Sequence, residues 1–243
     1  PNVLKRTNGQ LNLKISSYPE LGLSGPDMME LIGNGTISFA QVQPAYVGGT
    51  LPFIDILYQW GAWKDLKSEH LANTGVLPDL DTAVEGKSGG SKVVYHIWYA
   101  GNSQYLFSKD SLVKPEDFKK FKGRSHGTTM SDYIIGLGGE AVIVSFAETY
   151  TAIERGILNG GASGADAGWG QRWYEVTKYL VGPAISNPMG FETMNRKVWD
   201  SLPADFQQIL LEEGAKMELE NMRLGAVWNE TGVAKNVRSG MVE

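Results

Sequence analysis

Apolar residues recur along this chain at two different periods, and the two kinds of segment interleave. Leu11, Leu13 and Ile15 alternate with Asn12, Lys14 and Ser16, which is the period of a half-buried strand. Asp27 to Asn34 is predicted as a short helix, with Pro26 before it and Gly35 placed to end it. Ser38 to Val42 is strand-like again, and a small-residue loop, Pro44 to Gly49, leads into the apolar segment Leu51–Trp63. Residues 68–80 have a helical pattern, and Glu85 to Gly90 has the composition of a flexible turn.

The run Val93 to Tyr99 is rich in β-branched and aromatic residues and long enough for a buried strand, with Tyr105–Ser108 expected to pair nearby. Lys114-Pro115-Glu116-Asp117 opens a helical turn, since proline and acids suit a helix start. Ser131–Leu137 is predicted helical and Ala141–Ser145 extended, and Ser145 with Glu148 forms a capping box for a helix reaching Arg155. A long helix is expected from Ser201 to about Trp228, where Phe206, Ile209, Leu210, Met217, Leu224 and Val227 return at helical spacing. Strands alternating with helices indicate α/β architecture.

Composition narrows the chemistry. The chain has 243 residues, enough for one large or two small domains, and 42% hydrophobic with 20% charged residues is ordinary globular usage. A net charge of −5 without a basic stripe argues against a nucleic-acid partner. There are no cysteines, which excludes disulfides, iron–sulfur clusters, thiol catalysis and cysteine-based zinc sites. The 3 histidines stand at His70, His96 and His126 with no paired metal-ligand spacing, so neither a metal nor another cofactor is expected. Composition alone leaves the compartment open.

Three motifs invite chemistry. Gly123-Arg124-Ser125-His126-Gly127 matches G-x-S-x-G, the nucleophile elbow of a serine hydrolase. That fold needs an acid and then a histidine after the serine, and the last histidine is the adjacent His126. Gly136 to Gly139 follows a helix and precedes a strand, the reverse of a dinucleotide fingerprint. Gly160 to Gly168 is glycine-rich without G-K-[ST], and its simplest meaning is a tight connection. Against these, Trp98, Tyr99, Trp169, Trp173, Tyr174 and Tyr179 cluster in the middle of the chain, which is otherwise sparing with arginine. Arg124 carries a rigid fork of donors suited to a carboxylate, and aromatics with a few polar anchors describe a small-molecule pocket.

The stretch Lys114–Arg124 resembles the P-E-D-L-K-G-L-K-I-R segment of the solute-binding receptors of tripartite ATP-independent periplasmic (TRAP) transporters. Leu137–Val142, Glu148–Gly160, Tyr174–Leu180 and Trp199–Pro203 resemble further family segments in the same order, as do Thr7–Leu11 and Gly35–Val42 upstream. This resemblance implies a periplasmic receptor of two α/β lobes with a long helix bridging both. Its lobes are expected at 1–100 plus 190–229, and at 101–189 plus 230–243. It implies a small organic carboxylate bound in an interlobe cleft, with TRAP membrane subunits as partners, a monomeric state and no catalysis.

In the family the arginine of K-I-R clamps the carboxylate, and that position is Arg124. Ser125, His126, Trp98, Tyr99, Ser163, Trp169, Gln43 and Phe191 complete the expected ligand-binding set. The place of a second family arginine falls near Ser103, which points to a monocarboxylate with an apolar or aromatic body. The resemblance also places the family's first strand before Pro1 and its final helices after Glu243. A serine hydrolase at Ser125 and the sensing domain of a regulator are the alternatives.

Overall fold

The computed structural model describes residues 1–98, 103–184, 186 and 189–243. In chain order the regular elements begin with α1 (Asn2–Arg6), α2 (Met28–Gly33), β1 (Phe39–Val42), α3 (Pro44–Val47), α4 (Leu66–Ser88) and β2 (Ser91–Trp98). They continue with β3 (Gln104–Ser108), β4 (Lys122–Ser125), α5 (Thr128–Gly136), β5 (Glu140–Ile143), α6 (Thr149–Glu154) and β6 (Gly160–Gly164). The last are α7 (Ala165–Gly170), β7 (Tyr179–Ala184), β8 (Met189–Asn195), α8 (Arg196–Ser201) and α9 (Ala204–Arg238). Strands and helices alternate in two separate sheets, the α/β organisation that the hydrophobic periods predict. Among the described residues no helix is long and apolar enough to cross a membrane.

Two compact units divide the chain. The first comprises Pro1–Ile54, Thr74–Trp98 and Met189–Met222, and the second Asp55–Asn73, Tyr99–Pro188 and Arg223–Glu243. Residues 204–222 of α9 thus belong to the first and 223–238 to the second.

In the first unit β8 lies between β1 and β2, antiparallel to both. Every residue of β8 is buried, as a central strand covered on both faces must be. Met28, Met29 and Ile32 of α2, with Leu77, Leu80 and Val84 of α4, are among the buried apolar residues of this unit. Gly33 allows the close approach of α2 to the end of α4, because a Cβ there would sit 1.9 Å from the Ser88 carbonyl oxygen. That contact belongs to a helix that persists through Glu85-Gly86-Lys87-Ser88, where local composition predicts a turn. The Asn195 side chain caps α8 by accepting from the backbone N–H groups of Lys197 and Val198 at 3.1 and 3.2 Å.

In the second unit the strand order is β5-β4-β6-β3-β7. β4 is parallel to β5 and β6; α5 is the crossover between the neighbours β4 and β5, and α6 carries the chain from β5 past β4 to β6. β3 pairs antiparallel with β6 and β7, strands distant in sequence rather than nearby. Phe107 and Trp173 fill one side of this core in an edge-to-face contact at 5.3 Å. Phe118, Phe121, Met130 and Ile134 fill the other.

Several local expectations are corrected. Leu11 to Ser16 takes no regular structure, and Ile15 is 94% exposed. Alternation prepares a strand, but only a pairing partner makes one. Gly160–Gly164, expected as a loop, is a fully buried strand. Only half of the expected capping box forms, the Glu148 N–H donating to Ser145 Oγ at 3.3 Å while the Glu148 carboxylate accepts from the Ser145 hydroxyl, and the regular helix begins at Thr149.

Candidate functional site

The site is built on the C-terminal end of β4. Phe121, 1% exposed, anchors the strand's entry, and Gly123 passes so close to the Phe121 ring that a Cβ would lie 2.4 Å from it. Beyond Ser125 the chain crosses the extended residue Gly127 and enters α5, which has no acid in its first turn. Open α/β sheets place ligands at this carboxyl edge, and a helix N-terminus there favours an anion.

Arg124 is 3% exposed. A buried guanidinium must have hydrogen-bonding partners, and the neighbouring strands supply them. Its Nε donates to the Val144 carbonyl at 3.1 Å, just beyond β5, and Nη1 donates to the Ala162 carbonyl of β6 at 2.9 Å. The Phe146 ring stands 5.5 Å from the guanidinium carbon, in cation–π range. Nη1 also lies 3.4 Å from His126 Nδ1. Arginine only donates, so this contact requires an unprotonated Nδ1. Burial, and then the Arg124 charge, hold the His126 imidazole well below its ordinary pKa, so it is neutral with its proton on Nε2. Tyr58 packs edge-on against that imidazole at 5.9 Å, and Trp60 lies 6.4 Å from it.

Ser125 is fully buried, and its hydroxyl donates to the Gly127 carbonyl at 2.8 Å while accepting from Ser131 Oγ at 2.9 Å. A nucleophile elbow presents an exposed hydroxyl to a histidine base. The G-x-S-x-G match is instead a strand-to-helix turn closed by its own serine, which corrects the hydrolase alternative.

The other expected residues are distributed over both units. Ser163 lies on β6 beside Ala162, buried, opposite Tyr105 of β3. Trp169 packs elsewhere in the second unit: its Nε1 donates to Ser239 Oγ at 3.2 Å, Lys235 Nζ sits 4.7 Å from its ring, and Tyr174 stacks on it at 6.2 Å. In the first unit, Trp98 is buried opposite Met189, and Phe191 is fully buried against His96 at 5.3 Å. Gln43 precedes α3, and its Oε1 is buried without a hydrogen-bond partner among the described residues. Tyr99 lies outside the described residues.

The sequence pattern did not single out two buried titratable groups of the first unit. Glu192 of β8 accepts from Gln41 Nε2 at 2.9 Å, and burial pushes its carboxyl up to about 7. His96 of β2 is bracketed by Asp81 Oδ1 at 2.8 Å and Glu218 Oε1 at 3.4 Å. Burial works to lower its pKa, but the two carboxylates outweigh it and raise the imidazole to about 9. Their isolated letters carry no motif, so only the fold reveals them. Among the described residues no cluster of His, Asp and Glu is arranged to hold a metal ion.

Residues 2–243 match the family described as bacterial extracellular solute-binding protein, family 7 (DctP). The chain is 26% identical over 209 residues to the 2,3-diketo-L-gulonate-binding periplasmic protein YiaO of Escherichia coli (strain K12), covering 85% of this chain and 62% of that protein. The chain therefore spans a little under two thirds of that relative's length. DctP7 of Bordetella pertussis, an extracytoplasmic solute receptor binding pyroglutamic acid, superposes with a TM-score of 0.91 at 20% identity, over 99% of this chain and 78% of that one. A TRAP periplasmic solute-binding protein of Sulfitobacter sp. NAS-14.1 with bound β-D-galacturonate gives 0.88 at 20% identity, over 99% and 80%. These structural likenesses show the fold.

Proposed function

The chain belongs to bacterial extracellular solute-binding protein family 7, the DctP family of TRAP receptors, and on that footing we propose that it is a periplasmic receptor for a small organic carboxylate. It binds its solute without covalent chemistry and delivers it, as a monomer, to TRAP membrane subunits. The observation that carries this reading is Arg124: a buried cation at the carboxyl edge of a parallel strand pair, oriented by two backbone carbonyls, on the strand that leads into a helix with no acid in its first turn. A guanidinium fixed in this way presents a carboxylate with donors already ordered, so less entropy is lost on binding.

The finer proposal is a monocarboxylate with an apolar or aromatic body. Tyr58, Trp60, Phe146 and the neutral His126 ring surround the Arg124 region, which supports a ligand that buries a flat or apolar surface beside its charge. The relatives named above bind pyroglutamic acid, β-D-galacturonate and 2,3-diketo-L-gulonate, each with one carboxylate.

Thermal-shift screening against these acids, aryl monocarboxylates and malonate tests the proposal, followed by calorimetry on the strongest hit. A true ligand at about 100 times its Kd adds roughly 2.7 kcal/mol of stability and is recovered unchanged. A panel in which no carboxylate stabilises the protein sinks the reading.

A further inference from the structure

The indole of Trp60 is 9% exposed and belongs to the second-unit core cluster that includes Ala162 and Met130. Its Nε1 is buried and has no hydrogen-bond acceptor among the described residues. A buried N–H left unmade forfeits its hydration for nothing, so such groups are rare where no function retains them.

The surroundings of this orphan donor identify what is missing. Trp60 packs against the His126 imidazole at 6.4 Å, and His126 Nδ1 is in turn 3.4 Å from Arg124 Nη1. Ala162, whose carbonyl receives Arg124 Nη1 at 2.9 Å, lies in the same core cluster as Trp60. The orphan indole and the guanidinium therefore share His126 as a neighbour, just before α5, whose first turn carries no acid. Trp173 also has an Nε1 without a partner among the described residues, but its side chain is fully buried, with the Phe107 and Phe146 rings packed on it at 5.3 Å each.

We propose that Trp60 is the second anchor of the ligand carboxylate: its indole N–H donates to an oxygen of the group that Arg124 holds. This rests on the reading of Arg124 as the carboxylate clamp. The pair sets specificity, because both positions offer only donors. They accept an oxyanion and reject an ammonium or amide N–H at the same place. The neutral His126 between them adds a ring wall without a competing charge.

The test uses pyroglutamate and D-galacturonate as probes with wild type, Trp60→Phe and Arg124→Ala. Trp60→Phe keeps an aromatic ring and removes the donor together with the second ring of the indole. It should bind the better probe about 10- to 100-fold more weakly, the range expected for one hydrogen bond to a charged group. The lost ring lowers its unliganded melting temperature whether or not the donor binds ligand, so a readout in the unsubstituted protein is needed to separate a binding role from a packing one. In wild type, the assigned Trp60 indole N–H resonance should move downfield on saturation, a readout that needs no variant. A Trp60→Phe affinity within twofold of wild type, or an unmoved indole resonance, overturns the inference while Arg124→Ala still loses binding. Retention of affinity by Arg124→Ala overturns the reading of Arg124 as the clamp, on which this inference rests.

Discussion

Arg124 of β4 and Gly161 of β6 are direct cross-strand partners, and a Cβ on Gly161 would stand 3.1 Å from the Cβ of Arg124. It would also meet Thr149 Cγ2 at 3.3 Å. The thin glycine strand is thus the space in which the arginine side chain lies buried. Overpacking a filled interior costs roughly 1–3 kcal/mol. Gly161→Val should destabilise the protein to urea by that amount and weaken carboxylate binding, with Gly161→Ala milder in both. Equilibrium unfolding and calorimetry on the two variants check this, and a Gly161→Val protein of wild-type stability and affinity would contradict it.

Arg124→Ala should weaken the ligand found in screening by roughly 30-fold to a few thousand-fold, as removal of one member of a buried charge pair costs about 2–5 kcal/mol. Arg124→Lys should recover little. One ammonium cannot reach the Val144 and Ala162 carbonyls and the ligand with the geometry of a planar fork. Titration calorimetry decides; an affinity within threefold of wild type for Arg124→Ala means that the anion is held elsewhere.

His96 makes stability depend on alkaline pH. Burial alone would lower its folded pKa, but Asp81 and Glu218 raise it from 6.5 to about 9, so its stabilisation is complete below 6.5 and lost as pH rises through 9. That separation corresponds to an effect on the order of 3 kcal/mol. Urea unfolding of wild type should weaken between these limits, and His96→Gln should remove most of the slope. Parallel curves for the two proteins would assign the slope to other groups.

Glu192 acts in a lower window. Burial raises its carboxyl from 4.5 to about 7, so the folded state favours the protonated form and loses stability as pH rises through that interval. Above it, the structure bears a desolvated carboxylate whose hydrogen bond from Gln41 offsets only part of the penalty. Glu192→Gln should therefore stabilise the protein at pH 8 by an amount on the order of 2–3 kcal/mol, and change little at pH 4.5. The substituted amide retains an oxygen to accept from Gln41. A variant less stable than wild type at pH 8 would show that the carboxylate is stabilising as an anion.

Much of this protein is local enough to read from its letters. The β-branched and aromatic run Val93–Trp98 is a strand, buried at Val93, Val94 and Trp98 and part-buried between, because such side chains pack well on a sheet. The apolar return from Phe206 onward specifies α9, although the helix continues past Trp228 to Arg238. The alternation of periods gives the α/β class, and Arg124 is recognisable because few other side chains offer its donor geometry. What tertiary structure decided depends on partners distant in sequence. Leu11–Ile15 alternates correctly yet takes no regular structure, since a strand exists only through the ladder it joins. Gly160–Gly164 has loop composition, yet it is a strand because β3 and β4 pair with it and leave no room for larger side chains. Neighbours in the sequence such as Trp169 and Trp173 pack in different places, while Trp60 joins His126 from 66 residues away. The chemistry of each side chain is written in the sequence, but burial and the identity of its neighbours, which set its pKa and decide whether a donor is left waiting, exist only once the chain has folded.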